Sequence, residues 1–218
     1  MDTDSIYQIT VTGDGVSLDG ILRIPDHPKG VVAFAHGSGS GRFSPRNQYV
    51  ARVLETGGFA TLLLDLLTPD EADDRRKVFN IDLLADRLLL AQTWLVTHRP
   101  TSSLRAGYFG ASTGAAAALQ AAARRPEAVS AVVSRGGRPD LAGAYLTRVR
   151  VPTLLLVGGD DGPVIDLNEE ALARLTCTKQ LTIIPGASHL FEEPGTLEQV
   201  AREALHWFDQ YLGSASSA

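Results

Sequence analysis

Short segments that are apolar at every position alternate with amphipathic segments along most of this 218-residue chain. The segment 30–35 (GVVAFA) is wholly apolar, and Tyr49, Val50, Val53 and Leu54 then recur at the spacing of one helical face. Strands that are apolar on both faces and separated by helices are typical of a parallel sheet with helices on both faces, so an α/β fold is predicted. Strands are predicted at 5–12, 16–24, 30–35, 60–64, 105–109, 129–134, 153–157 and 180–184, and helices at 45–56, 81–98, 113–125, 166–175 and 197–212.

The start of the chain has a different pattern. Two β-rich runs, 5–12 and 16–24, are joined through Gly13, Asp14 and Gly15, which permit a tight hairpin turn. We therefore expect an antiparallel pair that leads into a mostly parallel sheet of about eight strands, without a large cap domain. A length of 218 residues suits one sizeable core. Residues 1–218 are predicted to form a single domain, with 213–218 as a frayed tail.

Composition argues against several classes of protein. The net charge is −5, whereas a general nucleic-acid binder would present a basic face. Cys177 is the single cysteine, so no internal disulfide can form and a cytoplasmic location is expected. The N-terminus lacks the basic and apolar regions of a secretion signal, and no window approaches the ~20 apolar residues of a membrane span. We expect neither a nucleic-acid partner nor a membrane.

Polar residues follow the predicted strands at the edge of the sheet where ligands bind in α/β proteins. HGSGSGR (36–42) follows the third strand, GASTG (110–114) the fifth, RGGR (135–138) the sixth, GGDD (158–161) the seventh and PGASH (185–189) the eighth. Because the carboxyl ends of parallel strands meet at one edge, these groups are predicted to converge on one site.

Ser112 lies at the centre of a G-x-S-x-G pattern between a predicted strand and a predicted helix. Such a pattern places a nucleophilic serine on a sharp turn, and the flanking glycines make room where strand and helix meet. The alternative interpretation is that Ser112 only caps the helix. The position between a strand and a helix, together with the flanking glycines, favours a nucleophilic serine over a helix cap.

A serine needs a base to take its proton, and His189 is the histidine that follows the last strand. In folds of this kind the acid lies between serine and histidine in the chain. Asp161 is the first choice, in a G-x-x-D-x-x-V pattern; Asp160 is the second and Asp140 a distant third. The acid would orient His189 and stabilise its imidazolium form.

The developing alkoxide of acyl transfer also needs hydrogen-bond donors. The backbone N–H groups of Thr113, after the nucleophile, and of Ser38, after the third strand, are predicted to form this oxyanion hole. A phosphate-binding loop is the alternative for the glycine-rich segment. Its spacing matches neither G-x-x-x-x-G-K-[ST] nor G-x-G-x-x-G.

These motifs, taken in order, resemble the dienelactone hydrolase branch of the α/β-hydrolases. The resemblance extends from about residue 21 to 212 and is carried by HGSG (36–39), GASTG (110–114), GGDD-x-x-V (158–164) and GASH (186–189). It implies a triad of Ser112, Asp161 and His189 that acts on esters or lactones without metal or organic cofactor. Dienelactone hydrolases typically have cysteine at the nucleophile, so serine here favours a general esterase. Similar small proteins resemble domains joined to phosphoribosyltransferases, which suggests that class as a partner.

The predicted substrate is therefore a small or medium-sized ester or lactone. The predicted oligomeric state is a monomer or a homodimer. The polar segment 66–80 is predicted to act as a partial lid. Four arginines in loops after strands could bind a substrate carboxylate, because a guanidinium pairs with it through two hydrogen bonds. Arg42 and Arg135 are the main candidates, and Arg46 and Arg138 are the other two. The alternative is that these arginines pair with nearby acids or with loop carbonyl groups. An acyltransferase or thioesterase using the same triad, and a non-catalytic binding domain, remain as alternative functions.

Overall fold

Eight strands form one sheet in this computed structural model, which describes residues 5–213. The predicted frayed tail lies outside the described residues from position 214 onward. The strands are β1 (Ser5–Gly13), β2 (Val16–Ile24), β3 (Val31–Ala35), β4 (Ala60–Leu64), β5 (Ala106–Ala111), β6 (Ala131–Arg135), β7 (Thr153–Gly158) and β8 (Lys179–Ile184). Their order across the sheet is β1-β2-β4-β3-β5-β6-β7-β8.

The pairing of the strands divides the sheet into an antiparallel start and a parallel remainder. β1 pairs with β2, and β2 with β4, in antiparallel register, whereas every later pair is parallel. The hairpin turn holds Asp14 at φ 51° and Gly15 at φ 74°, the backbone conformation that a two-residue hairpin needs. The predicted antiparallel pair and mostly parallel sheet of eight strands are confirmed.

Helices cover both faces of the sheet. They are α1 (Pro45–Thr56), α2 (Pro69–Ala72), α3 (Arg75–Val78), α4 (Ile81–Thr97), α5 (Thr113–Arg124), α6 (Gly162–Arg174) and α7 (Thr196–Tyr211), with a 3-10 segment at Pro139–Arg148. α1 and α7 pack on one face, and α4, α5, α6 and the 3-10 segment on the other. Strands β3 to β7 are buried along their whole length, which explains their continuous apolar sequences. No helix within residues 5–213 is long and apolar enough to span a membrane.

Three segments differ from the prediction. α6 begins at Gly162 rather than 166, because Pro163 fits the first turn of a helix, where no N–H is needed. The segment predicted as a polar loop at 66–80 contains α2 and α3, whose starts are capped by the side chains of Thr68 and Asp74. The 3-10 segment was not predicted; it bends at Gly143, which has φ 54°.

Candidate active site

Ser112 occupies a strained turn between β5 and α5. Its backbone lies at φ 50° and ψ −122°, a region that residues with a side chain rarely adopt. The flanking glycines make this turn possible. A Cβ atom on Gly110 would lie 2.5 Å from the Cα of Ala115, and one on Gly114 would collide with the carbonyl oxygen of Ala35. Ser112 stands at the N-cap position of α5, but its side chain makes no capping hydrogen bond.

The loop after β6 holds the turn from both sides. The Ser112 N–H donates to the carbonyl oxygen of Arg135 at 3.3 Å, and the Arg138 N–H donates to the carbonyl oxygen of Ser112 at 3.1 Å. Asn168, fully buried on α6, donates to the carbonyl oxygen of Gly137 at 3.0 Å and so anchors this loop. A network of distant residues therefore stabilises the strained backbone.

His189 and Asp161 are joined by a hydrogen bond of 2.7 Å between Nδ1 and Oδ2. Because a carboxylate can only accept, Nδ1 carries the proton and Nε2 of a neutral ring is left with its lone pair. Asp161 stands at the N-cap of α6, yet its carboxylate bonds to the ring instead of capping the helix. Asp160 is exposed, and Asp140 binds Arg138 at 2.9 and 2.8 Å. Of the three predicted acids, Asp161 is the one bonded to His189.

The loop that carries His189 has little freedom. Phe191 is buried and has φ 57°, and Glu193 accepts a 3.0 Å hydrogen bond from the Ser188 N–H. Hydrogen bonding from Ser188 holds the pKa of Glu193 below its usual value. The ring of His189 lies over the end of β6, since a Cβ atom on Gly136 would be 3.7 Å from its Cε1. His189 therefore lies above the loop that binds the backbone of Ser112.

The two residues of the predicted oxyanion hole contact each other. The Ser38 N–H donates to the Thr113 hydroxyl at 3.1 Å. Gly37 packs against Ser112 so closely that a Cβ atom there would lie 2.9 Å from the Cβ of Ser112. The glycine loop after β3 thus lies directly beside Ser112, and its Ser38 N–H is occupied by the Thr113 side chain.

His36 fixes the position of this glycine loop. Its Nε2 accepts a hydrogen bond from the Leu66 N–H at 2.9 Å, so Nδ1 must carry the proton and donates to the carbonyl oxygen of Gly37 at 3.0 Å. Burial lowers the pKa of His36, which keeps the ring neutral. The ring therefore links the loop after β3 to the end of β4.

The four loop arginines have different surroundings. Arg42 bonds to Asp65 and, at 3.3 Å, to Asp19. Arg138 is paired with Asp140, as described above. Arg46 lies 3.3 Å from Glu192.

Arg135 alone of these four has no carboxylate partner within residues 5–213, and it is only 6% exposed. Its guanidinium lies 3.4 Å from Oδ1 of Asn47 and 5.8 Å from the ring centre of Phe191, and its Nε finds no partner among the described residues. Burial, and secondarily the charge of Arg46, lower the pKa of Arg135 to about 10.

A cavity of about 640 Å³ lies beside the glycine loop. It is lined by His36, Gly37, Ser38, Gly39, Ser40, Gly41, Phe43, Ser44, Pro45, Arg46, Asp65, Leu67, Pro69, Ala72, Val78 and Leu84. Arg46 is part of this lining, whereas Arg42 and Arg135 are not. The segment 66–80, predicted to be a partial lid, supplies most of the second wall of this cavity, although sequence reasoning did not predict the cavity itself. That reasoning also missed the support Asn168, whose partner Gly137 lies 31 residues away in the chain, and the support Glu193, whose bond to Ser188 no motif indicated.

Comparisons with known proteins agree with this architecture. The chain is 57% identical to a dienelactone hydrolase from Anabaena variabilis, with a TM-score of 0.93 over 96% of this chain and 99% of that one. Est1E from Butyrivibrio proteoclasticus has the same fold at 15% identity, with a TM-score of 0.79 over 93% and 98% of the two chains.

A Mycobacterium tuberculosis (strain H37Rv) protein named "Putative phosphoribosyl transferase Rv0571c" is 58% identical over 205 residues, which are 94% of this chain and 46% of that protein. The chain thus spans about half the length of the curated relatives that it matches. The profile of the dienelactone hydrolase family matches residues 18–212, and the chain belongs to this family of hydrolases.

Proposed function

We propose that this chain cleaves carboxylic esters or lactones through an acyl-enzyme on Ser112. The observation that carries the proposal is the 2.7 Å bond between Asp161 and His189, in a site where Ser112 lies on a strained turn and its side chain does not cap the helix that follows. The Asp161 carboxylate directs the proton of His189 to Nδ1 and leaves Nε2 to act as base. A serine on such a turn is presented to the substrate rather than to its own helix.

In the proposed reaction, the Ser112 hydroxyl oxygen attacks the carbonyl carbon while Nε2 of His189 takes its proton. The tetrahedral intermediate collapses as the bond to the alcohol oxygen breaks, and His189 donates the proton to the leaving alcohol. Water then attacks the acyl-enzyme and gives a proton to His189. The bond to the Ser112 oxygen breaks, the acid leaves, and the serine recovers its proton.

The backbone N–H groups of Ser38 and Thr113 are proposed to hold the negative oxygen of the intermediate. In the structure the Ser38 N–H is bonded to the Thr113 hydroxyl. A change of the Thr113 side-chain rotamer would free it for the substrate. Each such donor is worth about 3 kcal/mol of transition-state stabilisation in other serine hydrolases.

We further propose that Arg135 binds a carboxylate of the substrate. A buried cation without a carboxylate partner is costly, and a bound anion would compensate for it. Phe191, which the guanidinium contacts, belongs to the loop of His189. The leaving alcohol must lie near His189, so the carboxylate is placed on the alcohol part of the ester. The proposal does not extend to Arg42, because Asp65 and Asp19 already bind its guanidinium.

The remaining proposals concern location and partners. We propose that the substrate is a small molecule. We also propose that the protein is located in the cytoplasm, since its single cysteine, Cys177, has no partner for an internal disulfide. The curated relatives carry a transferase name, but the part that this chain matches corresponds to a hydrolase family. We therefore propose that transferase chemistry in those proteins belongs to their other half.

The mechanism predicts that replacing the nucleophile abolishes turnover while leaving the fold intact. In Ser112→Ala, hydrolysis of 4-nitrophenyl esters should fall by about 10³-fold or more, and His189→Ala should have a similar effect. A fluorophosphonate probe should label the wild type and not Ser112→Ala. Ser102→Ala, which removes an exposed hydroxyl outside the site, is the matched control. Unchanged turnover in Ser112→Ala would refute the mechanism.

A further inference from the structure

The cavity beside the glycine loop is formed by two separate parts of the chain. The loop after β3 and the start of α1 form one wall, and the segment from Asp65 to Leu84 forms the other. Gly37 belongs to the lining and also packs against Ser112, so the cavity adjoins the nucleophile. A volume of about 640 Å³ lies within the range of sites that enclose small ligands.

The second wall is mainly apolar. Leu67, Pro69, Ala72, Val78 and Leu84 all contribute to it, and Phe43 faces them from the first wall. Phe43 is 61% exposed, and the Cζ atom of Arg42 lies 4.5 Å from the centre of its ring. These side chains offer contact to a hydrocarbon group.

Ionisable groups of the lining are already bonded within the protein. Asp65 accepts the Arg42 N–H at 2.6 Å and binds the Arg42 guanidinium, and both ring nitrogens of His36 are used in hydrogen bonds. Arg46 pairs with Glu192 through its Nη1, while its Nε has no hydrogen-bond partner among the described residues. An apolar group could therefore enter the cavity without taking the partner of a buried charge.

The position of the cavity relative to His189 indicates which half of the ester it receives. The leaving alcohol must lie next to His189, because it takes its proton from that ring. The ring of His189 lies over the end of β6, whereas the glycine loop of the cavity follows β3; Ser112 follows β5, which stands between these two strands. The cavity therefore lies on the side of the acyl group.

We infer that this cavity is the acyl-binding pocket, and that it selects esters of acids with a medium-length aliphatic or an aromatic hydrocarbon group. The inference rests on the proposed function of Ser112. It also gives α2 and α3 a role, since Pro69 and Ala72 of α2 and Val78 of α3 line the pocket. The two short helices form part of one wall of the pocket.

The test is a series of 4-nitrophenyl esters in which only the acid changes, from acetate to dodecanoate. In the wild type, kcat/KM should rise by about two- to fourfold per added CH₂ from butanoate to roughly octanoate, as expected for burial of hydrocarbon. A parallel series of acetate esters with longer alcohols should show no such rise. Selectivity for the alcohol in place of the acid would overturn the assignment.

Two variants test the wall directly. Ala72→Trp, at an exposed position that lines the cavity, should lower the ratio of octanoate to acetate kcat/KM by at least tenfold. Val78→Ala should move the preference toward longer acids. Ala144→Trp, an exposed position outside the lining, is the matched control and should leave the ratio unchanged.

The outcomes separate the pocket from the mechanism. If the wild type hydrolyses no ester in either series, the proposed function fails. If it hydrolyses esters but Ala72→Trp and Val78→Ala keep the wild-type acid preference, the pocket assignment fails and the mechanism stands.

Discussion

At the scale of single residues, the site depends on side chains whose usual local role is replaced by a distant one. Asp161 stands where an aspartate normally caps a helix, but its carboxylate bonds to His189. Ser112 likewise stands at an N-cap and leaves the helix uncapped. Neither side chain caps the helix that its position would favour, which is the kind of departure from local preference expected at a functional site.

Arg135 provides a prediction at this scale. In Arg135→Met, the KM for 4-acetoxybenzoate, whose alcohol part carries a carboxylate, should rise by about tenfold or more, because a charge-assisted hydrogen bond is lost. The KM for its neutral methyl ester should not change. Arg138→Met, which removes an arginine already paired with Asp140, is the control. An equal rise for both esters would mean that Arg135 only supports Phe191 and the loop of His189.

At the scale of elements, the contact between α5 and the sheet decides where Ser112 stands. Residues 113–123 of α5 are all buried, and the run of alanines lets this helix lie close to β3 and β5. Gly114 approaches the carbonyl oxygens of Ala35 and His36 at the end of β3. Any side chain at this position would push the start of the helix away from the sheet.

Gly114→Ala should therefore destabilise the protein. The added methyl group meets backbone atoms that cannot turn away, so we expect a loss of about 3 kcal/mol in the free energy of unfolding, the upper end of overpacking effects. Denaturant titration measures it. Gly162→Ala, where a Cβ atom would meet nothing within 4 Å, should change the free energy by about 0.5 kcal/mol or less. Equal stability of the two variants would contradict the close contact between α5 and β3.

At the scale of the whole molecule, the two cores lie on opposite faces of one sheet and share its strands. Trp94 packs against the core under α4, and Trp207 belongs to the core under α7. The chain has two tryptophans, so each reports on one face. A single domain predicts that both faces unfold together.

We expect Trp94→Phe and Trp207→Phe each to show one unfolding transition, with the remaining tryptophan fluorescence and the far-UV circular dichroism giving the same midpoint within each variant. A midpoint that differs between the two probes in one variant would show that the faces unfold separately. It would contradict the predicted single domain.

Sequence alone was enough for the eight strands, the five longer helices, the parallel sheet and the candidate residues at its edge. Those features depend on apolar periodicity and on glycine, proline and serine at particular turns, which are local properties of the chain. Tertiary structure was needed for the rest. It joined Asp161, and not Asp160, to His189 and left Arg135 without the acidic partner that Arg42 has. It also brought the segment 66–80, which was predicted as a polar loop, into one wall of a cavity. These outcomes depend on where side chains from distant parts of the chain meet, and no local pattern encodes that.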